Sequence, residues 1–111
     1  MKILVIGGGA AGMMAAVAAA GQGHIVCLIE KNEKLGKKLF ITGKGRCNVT
    51  NAGDMETLFA NICTNEKFLY SAFYGYDNQA VMTFLKEAGC PLKIERGDRV
   101  FPVSNHSSDV I

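Results

Sequence analysis

The segment Gly7–Gly12 separates two short apolar runs, and it constrains the fold of this chain more than any other feature. Ile3–Ile6 precedes it, the alanine-rich segment Met13–Gln22 follows, and Ile25–Ile29 leads directly to Glu30. The order is strand, tight glycine turn, helix, second strand and acid. This order is typical of the βαβ unit that binds dinucleotides, so the sequence predicts an α/β fold of the Rossmann type.

Each residue of the turn has a physical task in that interpretation. Gly7 lets the chain turn sharply at the end of the strand, and Gly9 lets a pyrophosphate approach the backbone because it has no side chain. Gly12 allows the helix to pack close to the sheet. Ala10 and Ala11 belong to the same turn and are expected at the cofactor. The N-terminus of the helix that follows offers unpaired N–H groups and a partial positive charge to the phosphates.

Glu30 is the predicted ribose ligand. It follows Gly12 by about 20 residues, as the dinucleotide motif requires, and its carboxylate can accept hydrogen bonds from both ribose hydroxyls. An acid at this position disfavours a 2′-phosphate, which favours FAD or NAD over NADP. Lys31 comes next and is a candidate for the adenine or ribose end of the cofactor.

A signal peptide or a membrane span is the competing interpretation of the same stretch. Residues 3–29 contain no Asp, Glu, Lys or Arg, Lys2 precedes them, and Ala18–Ala20 resembles a cleavage site. Three consecutive glycines interrupt any hydrophobic helix, and a second strand that ends on an acid has no role in a signal peptide. The βαβ unit is therefore favoured.

Length indicates that the βαβ unit belongs to a larger fold. The chain has 111 residues, too few for all the strands of a complete dinucleotide fold. Ser107–Ile111 resembles the opening of a helix. We therefore expect residues 1–111 to be the N-terminal part of an FAD/NAD(P)-binding domain whose remainder is absent. Such a piece exposes sheet edges and apolar faces, which favours self-association. The net charge of +2 indicates no nucleic-acid partner.

The four cysteines are Cys27, Cys47, Cys63 and Cys90, and no two of them have CxxC spacing. This spacing disfavours a zinc site and a dithiol redox centre, so we expect no metal. Reduced thiols in the cytoplasm are the default for such a chain. Cys27 and Cys90 are interpreted as packing residues. Cys47 could lie near a flavin and react with it, but a small residue that fills a tight loop is the favoured interpretation.

A basic, glycine-rich stretch follows the second strand. Six of the twelve basic residues fall between Lys31 and Arg46. The stretch fits a solvated loop, but Thr42-Gly43-x-Gly45-Arg46-x-Asn48 directly after a nucleotide-binding unit favours a second segment that contacts the cofactor. No exposed aromatic residues are interleaved with the basic ones, which disfavours a nucleic-acid surface.

The chain resembles one family of bacterial flavoproteins along essentially all of its length. The resemblance is carried by Gly7-x-Gly9-x-x-Gly12, Glu30-Lys31, Gly36–Leu39, Thr42–Asn48 with the following Thr50-Asn51, and Arg99–Pro102. The glycine fingerprint is shared by many flavoproteins, whereas the segment GRCNxTN is specific. The family is the BaiN-like NAD(P)/FAD-dependent oxidoreductases, also called the aminoacetone oxidase family.

The resemblance implies non-covalent FAD with a nicotinamide, NAD(P)H, as electron donor and a small molecule as substrate. It implies that Gly9, Ala11, Gly12 and Glu30 lie at the ADP half of FAD. It also implies a second group of residues along the pyrophosphate and toward the flavin: Lys38, Thr42, Gly43, Gly45, Arg46 and Asn48. The substrate and any catalytic acid or base stay open.

Two other functions fit parts of the sequence. One is an NAD-dependent dehydrogenase of which this chain holds the first βαβ unit, although a simple NAD fold does not need the basic loop at 36–48. The other is a non-catalytic nucleotide-binding module. Bound flavin separates the first possibility from the flavin oxidoreductase, and turnover with a nicotinamide separates both enzymes from the module.

The remaining half of the chain predicts helices and then a hairpin. Apolar residues recur at helical spacing through residues 52–90, with Asp77 as an N-cap and Gly89 as the stop of the last helix. Residues 92–96 and 99–103 flank Gly97-Asp98, which predicts a β-hairpin. Pro102 indicates an edge strand or a strand end. Four phenylalanines are expected in the core: Phe59, Phe68, Phe73 and Phe84.

Overall fold

The structure, a computed structural model, describes all residues from 1 to 111. Its strands are β1 (Lys2–Ile6), β2 (Ile25–Ile29), β3 (Thr50–Asn51), β4 (Leu92–Glu95) and β5 (Arg99–Pro102). Its α-helices are α1 (Ala10–Gly21), α2 (Lys37–Ile41), α3 (Met55–Ala60), α4 (Tyr70–Gly75) and α5 (Asn78–Glu87). Short 3₁₀ helices cover Thr42–Gly45, Glu66–Leu69 and Ser107–Asp109.

The N-terminal βαβ unit forms as the glycine pattern predicts. β1 and β2 pair in parallel from Lys2↔Ile25 to Ile6↔Ile29, and α1 connects them. Side chains on each strand alternate between half-buried and exposed, because α1 covers one face of this two-stranded sheet. Residues 3–29 thus form strand, helix and strand rather than one apolar helix. None of the helices combines the length and apolarity that a bilayer crossing requires.

The other face of this sheet is apolar and bare. Leu4, Ile6, Ile25 and Ile29 are each more than half exposed, and Cys27 lies exposed between the two β2 isoleucines. The prediction that Cys27 is a packing residue is therefore wrong for this chain, since its side chain is on the face that α1 does not cover. The expected exposure of an apolar surface is confirmed.

The helical segment is more broken than its periodicity predicts. Asp54 Oδ1 accepts a hydrogen bond from the Thr57 amide at 2.8 Å and starts α3. Asp77 Oδ1 accepts one from the Ala80 amide at 2.8 Å and starts α5, as predicted. Gly89 follows α5 with a φ of +91°, so the predicted glycine stop is also confirmed.

The phenylalanines of this segment are only partly buried. Phe59 is half-buried and its ring centroid lies 4.7 Å from that of Tyr70 and 5.3 Å from that of Phe73. Phe68 is 83% exposed, so its assignment to the core is wrong. The reason is local: Phe68 belongs to the 3₁₀ helix that precedes α4, so it does not share a helix face with the residues that follow.

The predicted hairpin forms, and it gains a third strand. β4 and β5 are antiparallel, and β3 pairs with the other side of β5. Pro102 ends the central strand beyond the reach of β3, so it marks a strand end and not an edge. The core sits here, where Val100 and Phe101 are almost completely buried. It also contains Cys47, Met82, Leu85 and Cys90.

Candidate functional site

The glycine turn closes the end of β1 onto the start of α1. Gly7 has a φ of +100°, which favours glycine, and its N–H donates to the Ile29 carbonyl at 2.8 Å. A Cβ on Gly12 would clash severely with the carbonyl oxygen of Gly7, and it would lie 3.6 Å from Val5 Cγ1. Gly12 therefore allows the close approach of helix, turn and strand that the sequence predicts.

The other side of the turn is open. A Cβ built on Gly9 would meet no atom within 4 Å. Gly9 is also the N-cap of the 12-residue helix α1, and no side chain caps this helix end. The first-turn N–H groups, those of Ala10, Ala11 and Gly12, have no partner inside the helix and carry a partial positive charge. The open side of Gly9 and these donors together fit a diphosphate.

Glu30 joins the end of β2 to this turn. Its Oε2 accepts a hydrogen bond from the Gly8 amide at 2.7 Å, and its Oε1 accepts two from Asn32, at 2.9 Å from the main-chain N and 2.9 Å from Nδ2. These hydrogen bonds, first that from the Asn32 amide and then that from the Gly8 amide, hold the pKa of Glu30 below its usual value. Glu30 is therefore an ionised acceptor beside the start of α1.

A cavity of about 350 Å³ lies over the turn and Glu30. Two lysines of α2, Lys37 and Lys38, line it together with the glycine turn, so positive charge stands near the place that fits phosphate. The complete lining is Gly8, Gly9, Glu30, Asn32, Lys37, Lys38 and Ile41. A second, mostly apolar cavity of about 780 Å³ shares Asn32, Lys37 and Ile41 with the first.

The segment 42–48 packs against the hairpin and lines neither of these cavities. Arg46 Nη1 donates to both carboxylate oxygens of Glu95, at 3.1 and 3.0 Å, and its guanidinium carbon lies 4.0 Å from the Phe101 ring centroid. Asn48, with its amide nitrogen turned toward acceptors, donates to the carbonyls of Thr50 at 3.1 Å and Val100 at 3.2 Å. The side chains of Arg46 and Asn48 therefore make their hydrogen bonds within the chain.

The backbone of the same segment explains its glycines. Gly43 and Gly45 have φ values of +57° and +85°, and a Cβ on Gly43 would lie 2.7 Å from the Asn48 amide nitrogen. Lys44 and Cys47 also have positive φ. Thr42 Oγ1 donates to the Leu39 carbonyl at 2.8 Å. The tight winding of this loop onto the hairpin requires small residues.

Cys47 is completely buried inside this loop, and burial raises the pKa of its thiol. Burial likewise raises the pKa of Cys90, with smaller effects from the charges of Asp109 and Cys47. A thiol with a raised pKa is a poor nucleophile. The buried position of Cys47 in this loop agrees with its interpretation as a small residue there, and its role toward a flavin stays a prediction.

The structure thus divides the predicted site residues into two groups. Gly7, Gly9, Ala10, Ala11, Gly12, Glu30 and Lys38 lie together around the glycine turn. Thr42, Gly43, Gly45, Arg46 and Asn48 lie against the hairpin, and Lys31 is exposed and lines neither cavity. No set of three or more His, Cys, Asp or Glu side chains is arranged to hold a metal ion.

Four residues of the cavity were not predicted from the sequence: Gly8, Asn32, Lys37 and Ile41. The signals for them are weak. Gly8 occupies a variable position of the fingerprint, and only its place between two glycines is unusual. An asparagine two residues after an acid is a common turn feature. Lys37 cannot be distinguished from Lys38 by composition.

The whole chain, residues 1–111, matches the family described as HI0933-like protein Rossmann domain. The chain belongs to this family. The α/β, Rossmann-like fold class expected from the sequence is confirmed. Relatives of this HI0933-like chain include enzymes named as a reductase and as an NADH oxidase.

Individual relatives are similar at low identity. The chain is 32% identical over 124 residues to the 3-dehydro-bile acid delta(4,6)-reductase of Clostridium scindens, an alignment that covers 99% of this chain and 27% of the reductase. It is 33% identical over 87 residues to the ribosomal RNA dihydrouridine synthase of Haemophilus influenzae, covering 78% of this chain and 21% of the synthase. The chain therefore spans about a quarter of the length of these relatives.

A shorter alignment concerns an enzyme of another name. The chain is 55% identical over 40 residues to the NADH oxidase of Thermoanaerobacter brockii, which is 36% of this chain and 6% of the oxidase. The identity is higher over this short alignment than over the long ones. It supports the nucleotide-binding character of the domain.

Proposed function

We propose that this HI0933-like chain binds FAD through its ADP half, as the cofactor domain of a flavin-dependent oxidoreductase. The observation that carries the proposal is the open glycine turn: Gly9 leaves space, α1 directs free N–H groups into it, and Glu30 stands beside it as an ionised acceptor. These groups fit a diphosphate followed by a ribose. Lys37 and Lys38 add the positive charge that a diphosphate favours.

In this proposal the residues of the turn have separate tasks. The N–H groups of Ala10, Ala11 and Gly12 bind diphosphate oxygens, and Gly9 leaves room for them. Glu30 binds the ribose, and its negative charge repels a 2′-phosphate. When bound, FAD supplies hydride transfer between a nicotinamide and an organic acceptor. No acid or base for that reaction is assigned within residues 1–111.

We further propose that the complete enzyme reduces a carbon–carbon double bond, with NAD(P)H as electron donor. Several relatives carry names of such reactions: a bile-acid delta(4,6)-reductase, two dihydrouridine synthases and a cinnamate reductase. The substrate would be a small organic molecule, as the names of the bile-acid reductase and the cinnamate reductase indicate. The four cysteines are free thiols, which fits a cytoplasmic enzyme.

NAD is the second candidate ligand for the same site, because its ADP half would use the same turn and the same acid. The sequence argument against NAD rested on the loop at 36–48. The structure supports only part of that argument, because Lys37 and Lys38 line the cavity while residues 42–48 do not. The ligand therefore has to be identified by experiment.

The test is the visible absorption spectrum of the purified full-length protein, before and after heat denaturation. We expect the spectrum of a bound flavin, and we expect the flavin to be released into solution on denaturation. The variant Gly9→Val should lose the flavin, because the valine side chain fills the space left for the diphosphate. Gly21→Val is the matched control, since Gly21 lies at the far end of α1 and also has no neighbour within 4 Å. A protein that stays colourless with added FAD but binds NAD would support the second candidate.

A further inference from the structure

Asn32 occupies one oxygen of the Glu30 carboxylate with two donors. Its main-chain N–H and its side-chain Nδ2 both lie 2.9 Å from Glu30 Oε1. The other oxygen, Oε2, receives the Gly8 amide at 2.7 Å. The Glu30 carboxylate is thus held at both oxygens, by Gly8 of the glycine turn at Oε2 and by Asn32 at Oε1.

The number of hydrogen bonds within the chain determines how many acceptor sites of Glu30 stay free for a ligand. An ionised carboxylate offers about four acceptor sites, two on each oxygen. Three donors occupy Glu30, two on Oε1 and one on Oε2, which leaves the remaining acceptor site on Oε2. Asn32 lines both cavities, so it lies beside the place where a ligand would meet Glu30. Oε2 of Glu30 therefore keeps one acceptor site for a ribose hydroxyl.

We propose that Asn32 is the positioning residue of the adenosine site, holding Oε1 of Glu30 so that Oε2 stays on Gly8 and keeps one acceptor for a ribose hydroxyl. This inference rests on the proposed function. The charged groups that line the same cavity are Lys37 and Lys38, whose side chains are long and exposed. Their charge attracts the carboxylate but does not fix its rotation, whereas two N–H groups at 2.9 Å do.

The experiment compares three variants of the full-length protein. Asn32→Ala removes the side-chain donor and keeps the main-chain one. Asn32→Asp keeps the size of the side chain but replaces the donor with a second negative charge beside Oε1. Asn61→Ala is the matched control, because Asn61 makes a single side-chain hydrogen bond, to the Thr57 carbonyl, far along the chain from the site. Affinity for ADP and for FAD is measured by titration calorimetry.

A positioning role predicts a graded loss. Asn32→Ala should bind ADP about tenfold more weakly, as expected for one lost hydrogen bond to a charged group. Asn32→Asp should bind it more weakly still, and FAD should follow ADP in both variants. Asn61→Ala should bind both as the unchanged protein does. Equal affinity in Asn32→Asp and the unchanged protein would overturn the inference, because only the size of the side chain would then matter.

A second measurement is made without any ligand, by NMR of the Gly8 amide and the Glu30 carboxyl, with Glu30→Gln used for assignment. In Asn32→Asp we expect Glu30 to titrate at higher pH and the Gly8 amide signal to move. An unchanged titration and an unchanged Gly8 signal would overturn the positioning role. If the unchanged protein binds neither ADP nor FAD, the proposed function fails, and this measurement still decides the role of Asn32.

Discussion

The carbonyl oxygen of Gly7 lies so close to Gly12 that a Cβ at residue 12 would clash with it. This one relationship links the end of β1, the turn and the start of α1, because none of the three can shift alone. We predict that Gly12→Ala destabilises the chain by about 3 kcal/mol, the upper part of the usual range for overpacking. Unfolding in urea, followed by circular dichroism, measures the effect.

Gly21→Ala is the control for this prediction. Gly21 lies in the same helix, and a Cβ there would meet no atom within 4 Å. Since alanine is the better helix former, this variant should be as stable as the unchanged chain or more stable. A similar loss in both variants would mean that the close contact with Gly7 is not the cause.

Arg46 provides a second prediction, through its contact with Phe101. The guanidinium lies 4.0 Å from the ring centroid, while its ion pair with Glu95 is about one-third exposed and contributes little in water. Arg46→Lys keeps the charge but loses the flat stacking surface, so we expect a loss of about 1 kcal/mol in the free energy of unfolding. Arg99→Lys is the control, because its guanidinium lies 5.8 Å from the same ring. Equal losses would contradict the stacking argument.

The four cysteines should differ in reactivity toward a thiol reagent. Cys27 and Cys63 are exposed, whereas Cys47 and Cys90 are buried with pKa values raised by burial. In the chain of residues 1–111 we expect two thiols to react quickly and two only after unfolding. Mass spectrometry of the labelled peptides identifies them. Fast labelling of Cys47 would show that the loop at 42–48 opens readily.

Acid should destabilise the chain through specific carboxylates. Hydrogen bonds from Asn32 and Gly8 lower the pKa of Glu30, a hydrogen bond from Arg46 lowers that of Glu95, and one from Thr57 lowers that of Asp54. A carboxylate with a lowered pKa in the folded state stabilises the fold above its unfolded pKa, and this contribution disappears as the pH falls through the folded value. The free energy of unfolding should therefore decrease as the pH falls below the ordinary pKa values, which are 4.5 for Glu and 3.8 for Asp.

The contribution of Glu30 to this acid dependence can be isolated by substitution. In Glu30→Gln the free energy of unfolding should change less steeply between about pH 5 and about pH 3. The reason is that the glutamine does not titrate, so one group that binds a proton more readily in the unfolded chain is lost. Glu87→Gln removes a carboxylate that makes no hydrogen bond or ion pair, and it reports the effect of lost charge alone. The same slope in Glu30→Gln and the unchanged chain would contradict the assignment.

The parts of the fold that could be predicted are those with local causes. The turn needs glycine at Gly7 and Gly12, the end of α5 needs it at Gly89, and Asp77 caps the start of the same helix, so each leaves a mark in the sequence. The partners of the basic loop could not be predicted in this way. Arg46 meets Glu95 across 49 positions, and no spacing rule connects them.

In the candidate site, too, residues with a local cause could be predicted and contacts between distant residues could not. Glu30 was predicted because the dinucleotide motif places an acid after the second strand. Its contact with Gly8 depends on the three-dimensional closure of the turn, and that with Asn32 on the rotation of a single amide. Helix α2 has only five residues and no apolar period, so its spacing gave no reason to place a lysine over the cavity. Lys38 was expected at the cofactor through the family resemblance, and Lys37 was not expected there.

The last prediction concerns the bare face of the two-stranded sheet. Ile25 and Ile29 are 68% and 51% exposed on β2, beside Leu4 and Ile6 of β1, and the outer edges of both strands are unpaired. Apolar faces next to unpaired edges favour association between copies. We therefore expect the chain of residues 1–111 to associate with itself in sedimentation velocity experiments, increasingly so at higher concentration.

Two double variants test whether this face is responsible. Ile25→Thr with Ile29→Thr makes the face more polar and keeps β-branched residues in the strand, so association should decrease while the secondary structure is retained. Ile94→Thr with Val103→Thr changes two residues of similar exposure, 56% and 51%, near the other sheet, and should leave association unchanged. If both pairs reduce association equally, general surface apolarity is the cause. If neither does, the copies meet elsewhere, for example through the exposed aromatic residues Phe68 and Tyr74.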